Sequence, residues 1–138
     1  MITSVHALIY SDDVDATRTF LRDVLGFPFV KDTVPGDTSE VGWLIFGTGP
    51  SEVGVHPTRA EWDGKLYESP RHVELSFMCD DVATTRAELS AKGATFSTEV
   101  KDEGWGLSTI MEVPGADPIM LYEPRHQPAY PLWPAPTD

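Results

Sequence analysis

One stretch near the start of the chain returns once, and that repetition limits the possible folds more than any other feature. HALIYSDDVDATRTFLRDVLGFPF, from His6 to Phe29, comes back as ELSFMCDDVATTRAELSAKGATF, from Glu74 to Phe96, with one residue fewer before the glycine. The identical pairs are Asp12 with Asp80, Asp13 with Asp81, Val14 with Val82, Thr17 with Thr85, Arg18 with Arg86, Leu21 with Leu89, Gly26 with Gly93 and Phe29 with Phe96. Two equivalent supersecondary units in tandem are the expectation.

Each copy opens with the period-two alternation of a strand and meets an acidic pair. It then changes to helical spacing, at Val14, Thr17, Leu21, Val24 and Leu25 in the first copy. A carboxylate at such a junction accepts bonds from the unpaired amides of the first helical turn and opposes the helix dipole. The aspartates are therefore read as caps rather than as a catalytic pair. Gly26 and Gly93 suit helix C-termini, where positive φ is needed.

Three short strands are expected after each helix: Phe27–Lys31, Val41–Gly47 and Glu52–His56, then Thr95–Val100, Leu107–Val113 and Pro118–Glu123. The expected fold class is α+β, two βαβββ modules whose curled mixed sheets surround a cleft. The modules would span approximately residues 1–57 and 72–125 of one domain, with 58–71 as linker and 126–138 as a proline-rich tail. A chain of 138 residues with 41% hydrophobic content has material for one sizeable core.

Charge removes several function classes. Ten basic against 22 acidic residues give a formal charge of −12, which repels phosphate backbones and anionic lipid, so neither nucleic acid nor membrane is an expected partner. The first ten residues lack the zones of a signal peptide, and the lone Cys79 excludes an intrachain disulfide; a cytoplasmic location is expected. No G-x-S-x-G elbow, P-loop or dinucleotide fingerprint occurs.

With its H-x-x-x-x-S-D-D start, F-L-R-D-V-L-G-F helix end, second C-D-D-V start and closing P-I-M-L-Y-E-P, the chain resembles the vicinal oxygen chelate superfamily from Val5 to about Arg125. That superfamily includes glyoxalase I, extradiol dioxygenases, fosfomycin-resistance transferases and bleomycin-binding proteins. The resemblance implies a divalent metal held by the first and last strand of each module, and often a homodimer that exchanges modules. The implied ligand positions fall on His6 and Glu74 in the opening strands, but on Gly54 and Met120 in the closing ones. Glycine has no donor, and a thioether is a soft, weak ligand for hard ions, so two of four ligands remain. Glu52, His56 and His72 are the nearby substitutes, so a divalent metal stays open as a cofactor, although none is the preferred expectation.

Residues two apart in a strand share a face, so the cleft lining is expected to include His6, Leu8 and Tyr10, then Glu52, Gly54 and His56, then Glu74, Ser76 and Met78, then Met120 and Tyr122. Trp43 and Trp105 each follow a glycine ahead of a strand and are candidate ring stackers. Trp62 and Trp133, in linker and tail, suit a dimer contact. Cys79 alternates with Leu75 and Phe77 and reads as a buried thiol rather than a nucleophile.

An apolar lining with few polar anchors suits a small organic molecule, and the preferred expectation is a binder of the bleomycin-resistance type, its ligand cationic if the acidic surface selects it. The alternatives are a divalent-metal-dependent lyase, isomerase or dioxygenase resembling glyoxalase I, and a metal-free enzyme in which Glu74 or His6 moves a proton.

Overall fold

The computed structural model describes residue 4 and residues 6–132; Trp133, expected at a dimer contact, lies outside them. Both repeat copies form their helices as expected. α1 (Val14–Thr19) starts at Asp13, whose Oδ1 accepts the Ala16 N–H at 3.1 Å. α2 (Val82–Ala91) starts at Asp81, whose Oδ1 accepts the Thr84 N–H at 2.9 Å. Gly26 and Gly93 follow with φ of 72° and 100°.

The extra residue of the first copy has a structural answer. α1 continues into a π-helical turn, Phe20–Val24, where the Leu25 N–H reaches back to the Phe20 carbonyl at 3.1 Å. A π turn absorbs one more residue than an α turn. Phe20 and Leu21 thus stay buried and Gly26 still closes the helix.

The strands are β1 (Phe29–Asp32), β2 (Trp43–Phe46), β3 (Arg59–Trp62), β4 (Lys65–Glu68), β5 (Ser76–Met78), β6 (Lys101–Asp102), β7 (Gly106–Met111) and β8 (Ile119–Pro124). The last four make a mixed sheet in the order β5-β8-β7-β6, with β5 parallel to β8 and the other pairs antiparallel. β1 pairs with β2 and β3 with β4, each antiparallel. Helices and mixed curled sheets give the expected α+β class.

Odd-numbered residues of β7 and β8 (Thr109, Met111, Ile119, Leu121) are buried on one face of this sheet. Phe20 and Leu21 of the first helix join Met111, Val113 and Ile119 in the core cluster, with Leu89 of α2 against it, so both helices share one core. The turn between β7 and β8 docks on the start of α1: the Asp12 N–H donates to the Gly115 carbonyl at 2.8 Å, and Thr17 Oγ1 donates to the Pro114 carbonyl at 2.5 Å. Gly115 has φ 80°, and a Cβ there would sit 2.8 Å from the Asp13 carbonyl oxygen. Backbone passes too close for any other residue.

Three expected strands are not formed as such. Among the described residues His6–Tyr10 and Glu52–His56 have no ladder partner, and extended chain becomes sheet only by lateral pairing. Thr95–Val100 follows β7 through a Phe96–Met111 bridge, but the Ile110 N–H donates to Thr98 Oγ1 in place of a backbone carbonyl, which interrupts the ladder. The segment 58–71, expected to be plain linker, contains the β3–β4 hairpin turned by Asp63 (φ 50°) and Gly64 (φ 72°). Asp-Gly with positive φ at both positions is the turn that fits strand twist. Among the described residues no helix is long and apolar enough to cross a membrane.

A polar clamp ties the β1–β2 loop to α1. The Asp15 carboxylate accepts from Ser39 Oγ and from the Glu40 and Val41 amides, at 3.2 and 3.3 Å for the amides. The Ser39 hydrogen bond, helped by those amides and Arg18, holds the Asp15 carboxyl below its ordinary value. Beside it Arg18 donates to the Gly42 carbonyl at 3.0 Å and lies 4.8 Å over the Trp43 ring.

Two outcomes follow. Asp81→Ala leaves the Thr84 amide uncapped and is expected to lower unfolding free energy by about 1 kcal/mol in urea denaturation. A depressed folded-state carboxyl adds stability above its unfolded value, and that stability is lost as pH falls through the lower folded one. Asp15→Asn is therefore expected to be less stable at neutral pH and to show a shallower loss below about pH 4; identical acid limbs for the two proteins would refute the clamp.

Candidate functional site

The face of the four-stranded sheet opposite the core gathers several of the residues expected in the cleft. Pairing places Ser76 beside Met120 and Met78 beside Tyr122, and across the antiparallel ladder Ile110 beside Met120 and Ser108 beside Tyr122. Directly paired residues share a face, so these even-numbered side chains form one surface. Four residues expected in the cleft, Ser76, Met78, Met120 and Tyr122, meet there.

Trp105, in the turn before β7, joins them: its ring stands edge-on to Tyr122, centroids 5.2 Å apart. Its carbonyl accepts the Arg125 and His126 amides at 2.8 and 3.2 Å, which fixes the turn against the end of β8. Arg125 Nη1 also donates to Asp102 Oδ2 at 2.6 Å.

A polar chain leads away from this aromatic pair. The Tyr122 hydroxyl lies 3.2 Å from His126 Nε2, and Glu52 Oε1 lies 3.7 Å from the same nitrogen. His126 Nδ1 is 3.1 Å from the Gln127 carbonyl, which can only accept. Nδ1 must then carry the hydrogen, which leaves Nε2 of the neutral ring as the acceptor for the Tyr122 hydroxyl. Glu52 Oε2 accepts the Ala129 and Tyr130 amides at 2.6 and 3.3 Å, and its side chain is only 17% exposed. Burial first, and the Glu52 charge second, raise the Tyr122 phenol above its ordinary value, so it stays a neutral donor at physiological pH.

The other expected site residues lie apart. His6, Leu8 and Tyr10 are exposed on the unpaired opening segment. A Cβ on Gly54 would meet nothing within 4 Å, and exposed His56 turns Nδ1 to the Pro57 carbonyl at 2.7 Å. Glu74 has an 82% exposed side chain whose nearest ion-pair partner is His72 Nε2 at 3.8 Å. Trp43 is held under Arg18, a structural use of the ring. Cys79 is half-buried with Sγ 3.7 Å from the Tyr122 carbonyl, and burial raises its thiol, in keeping with an unreactive group.

The implied metal does not fit this donor set. Among the described residues no group of three or more His, Cys, Asp and Glu side chains is gathered closely enough to hold an ion. Glu123, a hard donor near Met120 in sequence, lies on the other face and accepts the Val82 amide at 3.0 Å, capping α2. The residues that sequence reasoning left without a role are His126 and the Glu52 connection to it. The only signal was the four-residue spacing from Tyr122 to His126 as the chain leaves β8.

Solved structures share this architecture. They include a lactoylglutathione lyase from Agrobacterium tumefaciens, 20% identical over 88% of this chain and 96% of that one, with a TM-score of 0.53. TnmS3, an antibiotic-binding protein from Streptomyces sp. CB03234, is 20% identical over 90% and 99%, with a TM-score of 0.56. A glyoxalase/bleomycin resistance protein/dioxygenase superfamily member from Sphaerobacter thermophilus DSM 20745 is 18% identical over 88% and 98%, with a TM-score of 0.57. At such identities the likeness speaks for the fold alone. No curated protein sequence matches the chain. The sequence model of one family does, over residues 3–124, and the chain belongs to it: the Glyoxalase/Bleomycin resistance protein/Dioxygenase superfamily.

Proposed function

We propose that this protein binds a small organic molecule on the open face of the four-stranded sheet, without a complete metal site, and that it works as a cytoplasmic homodimer. One observation carries the reading. The register that brings Ser76 to Met120 and Met78 to Tyr122 sets thioethers and a phenol beside Trp105, where a hard cation would require carboxylates and imidazoles. Thioethers and aromatic rings give apolar contact, while the Tyr122 hydroxyl, Ser76 and the His126–Glu52 pair supply the few polar anchors that orient a ligand. The likeness to an antibiotic-binding protein and the acidic charge of −12 agree with sequestering or carrying such a compound, a cationic one included.

A second reading draws on the Glu52–His126–Tyr122 chain. A phenol bonded to an imidazole can pass its proton to Nε2, and the Glu52 carboxylate 3.7 Å from that nitrogen would stabilise the imidazolium that forms, so metal-free acid-base chemistry would run here rather than at His6 or Glu74.

Calorimetric titration of chelator-stripped protein with bleomycin and other amphipathic antibiotics tests the first reading. Saturable micromolar binding to at least one compound is expected without added metal. Tyr122→Ala and Trp105→Ala should each weaken it about tenfold, equivalent to roughly 1.4 kcal/mol of aromatic contact, and His6→Ala should leave it unchanged. Binding that demands a divalent ion and vanishes in His6→Ala would instead support a metal-dependent lyase or isomerase, and no heat with any compound would count against the binder.

A further inference from the structure

At one end of the open sheet face, the Tyr122 and Ser108 hydroxyls have already spent their hydrogens. The Gln127 carbonyl, 3.1 Å from His126 Nδ1, requires a hydrogen on that nitrogen, so Nε2 of the neutral ring, 3.2 Å from the phenol, can only accept. A phenol has one hydrogen, and His126 takes it. What Tyr122 has left for a ligand is the lone-pair side of its oxygen.

Ser108 repeats the pattern. Register sets it beside Tyr122, and its Oγ donates to Glu103 Oε1 at 3.2 Å. A carboxylate only accepts, so the direction of this bond is fixed as well. Ser108 is buried and adds no ligand contact, yet it offers that end of the face no hydrogen either.

The direction of the Tyr122 bond is set from another part of the chain. Glu52 Oε2 accepts the Ala129 and Tyr130 amides, which pins the chain just beyond Gln127 and so places the carbonyl that selects the His126 tautomer. Glu52 Oε1 lies 3.7 Å from Nε2, so with Glu103 two carboxylates stand at the same end. Lone pairs backed by carboxylate charge repel a carbonyl, an ether or a pyridine-type nitrogen and attract an N–H.

We infer, building on the small-molecule reading, that His126, held in place through Glu52, makes Tyr122 a hydrogen-bond acceptor toward its ligand, so that the group selected there is an N–H donor: a ring N–H, an amide or a protonated amine. His126 is a positioning residue, acting on the ligand through the phenol.

Indole, with a ring N–H, and quinoline, with a ring-nitrogen lone pair, are planar neutral bicyclic probes of similar size that separate donor from acceptor. Being uncharged, they escape the general pull of a −12 chain on cations. Each is titrated into nitrogen-15-labelled full chain and followed by amide chemical shifts at about pH 8, where an ordinary imidazole is neutral. A charged ring would donate from Nε2 and free the phenol hydrogen. Wild type is expected to prefer indole about fivefold, the worth of one ordinary hydrogen bond. Tyr122→Phe should bring the two probes to parity. His126→Phe keeps a ring at a partly exposed position but removes the acceptor, and should turn the preference toward quinoline. A purely structural role for His126 would weaken both probes alike and leave their ratio standing.

The ring nitrogens of His126 give a second readout that needs no ligand: the hydrogen is expected on Nδ1, and a hydrogen on Nε2 would overturn the inference. A wild type indifferent to the two probes, or an indole preference that survives His126→Phe, would also overturn it and leave the binding reading intact. Silence with both probes would end the inference too, and the antibiotic calorimetry then decides the binding reading by itself.

Discussion

The fold depends on one apolar surface, the odd-numbered face of β7 and β8. Met111 is fully buried there and Ile119 and Leu121 nearly so, and helices from both repeats cover it. Burying one such side chain is worth roughly 1.5–3 kcal/mol. Exposed ion pairs such as Arg59–Glu68, with both side chains more than 60% exposed, hold no comparable sum. Once that face is committed to the core, strand alternation leaves the even-numbered side chains no choice. Ser76, Met78, Ser108, Ile110, Met120 and Tyr122 must look the other way, and the candidate site is the reverse side of the core.

That coupling explains which parts of the molecule were legible in the sequence. Helix starts were readable because an aspartate cap acts locally, and Asp13 and Asp81 do what their positions implied. The strands of the second half were readable because their alternation reports a real buried face. His6–Tyr10 and Glu52–His56 alternate as well, but pairing is a relation between two segments, and alternation in one says nothing about its neighbour. The hairpin at 59–68 was missed although Asp63-Gly64 is a strong turn signal, since proline and charge in the surrounding stretch masked the short strands.

The site was legible in part for the same reason. Tyr122 and Met120 follow from strand period alone, and Trp105 from its place ahead of β7. The Glu52–His126 connection joins residues far apart in sequence through a tail that no period describes. Its anchor is a carboxylate capturing two consecutive amides, Ala129 and Tyr130, at the start of a 3₁₀ turn, Tyr130–Leu132. Such a bond depends on where the chain ends up in space.

The two halves also differ in what a single copy of the chain completes. The second half closes its sheet with β5 beside β8, whereas the equivalent segments of the first half, His6–Tyr10 and Glu52–His56, lie open, with Val53 and Val55 exposed. Both halves descend from the same pattern, so the difference does not come from weaker strand propensity: Val53 and Val55 are strong strand formers. What the first half lacks is a surface against which those valines would lie. Exposed Val30, Val53 and Val55 and the β3–β4 hairpin with exposed Trp62 and Tyr67 all occur between residues 28 and 67, while the buried face of β7 and β8 belongs to the other module. Burying such apolar surface would be favourable wherever a covering surface were supplied.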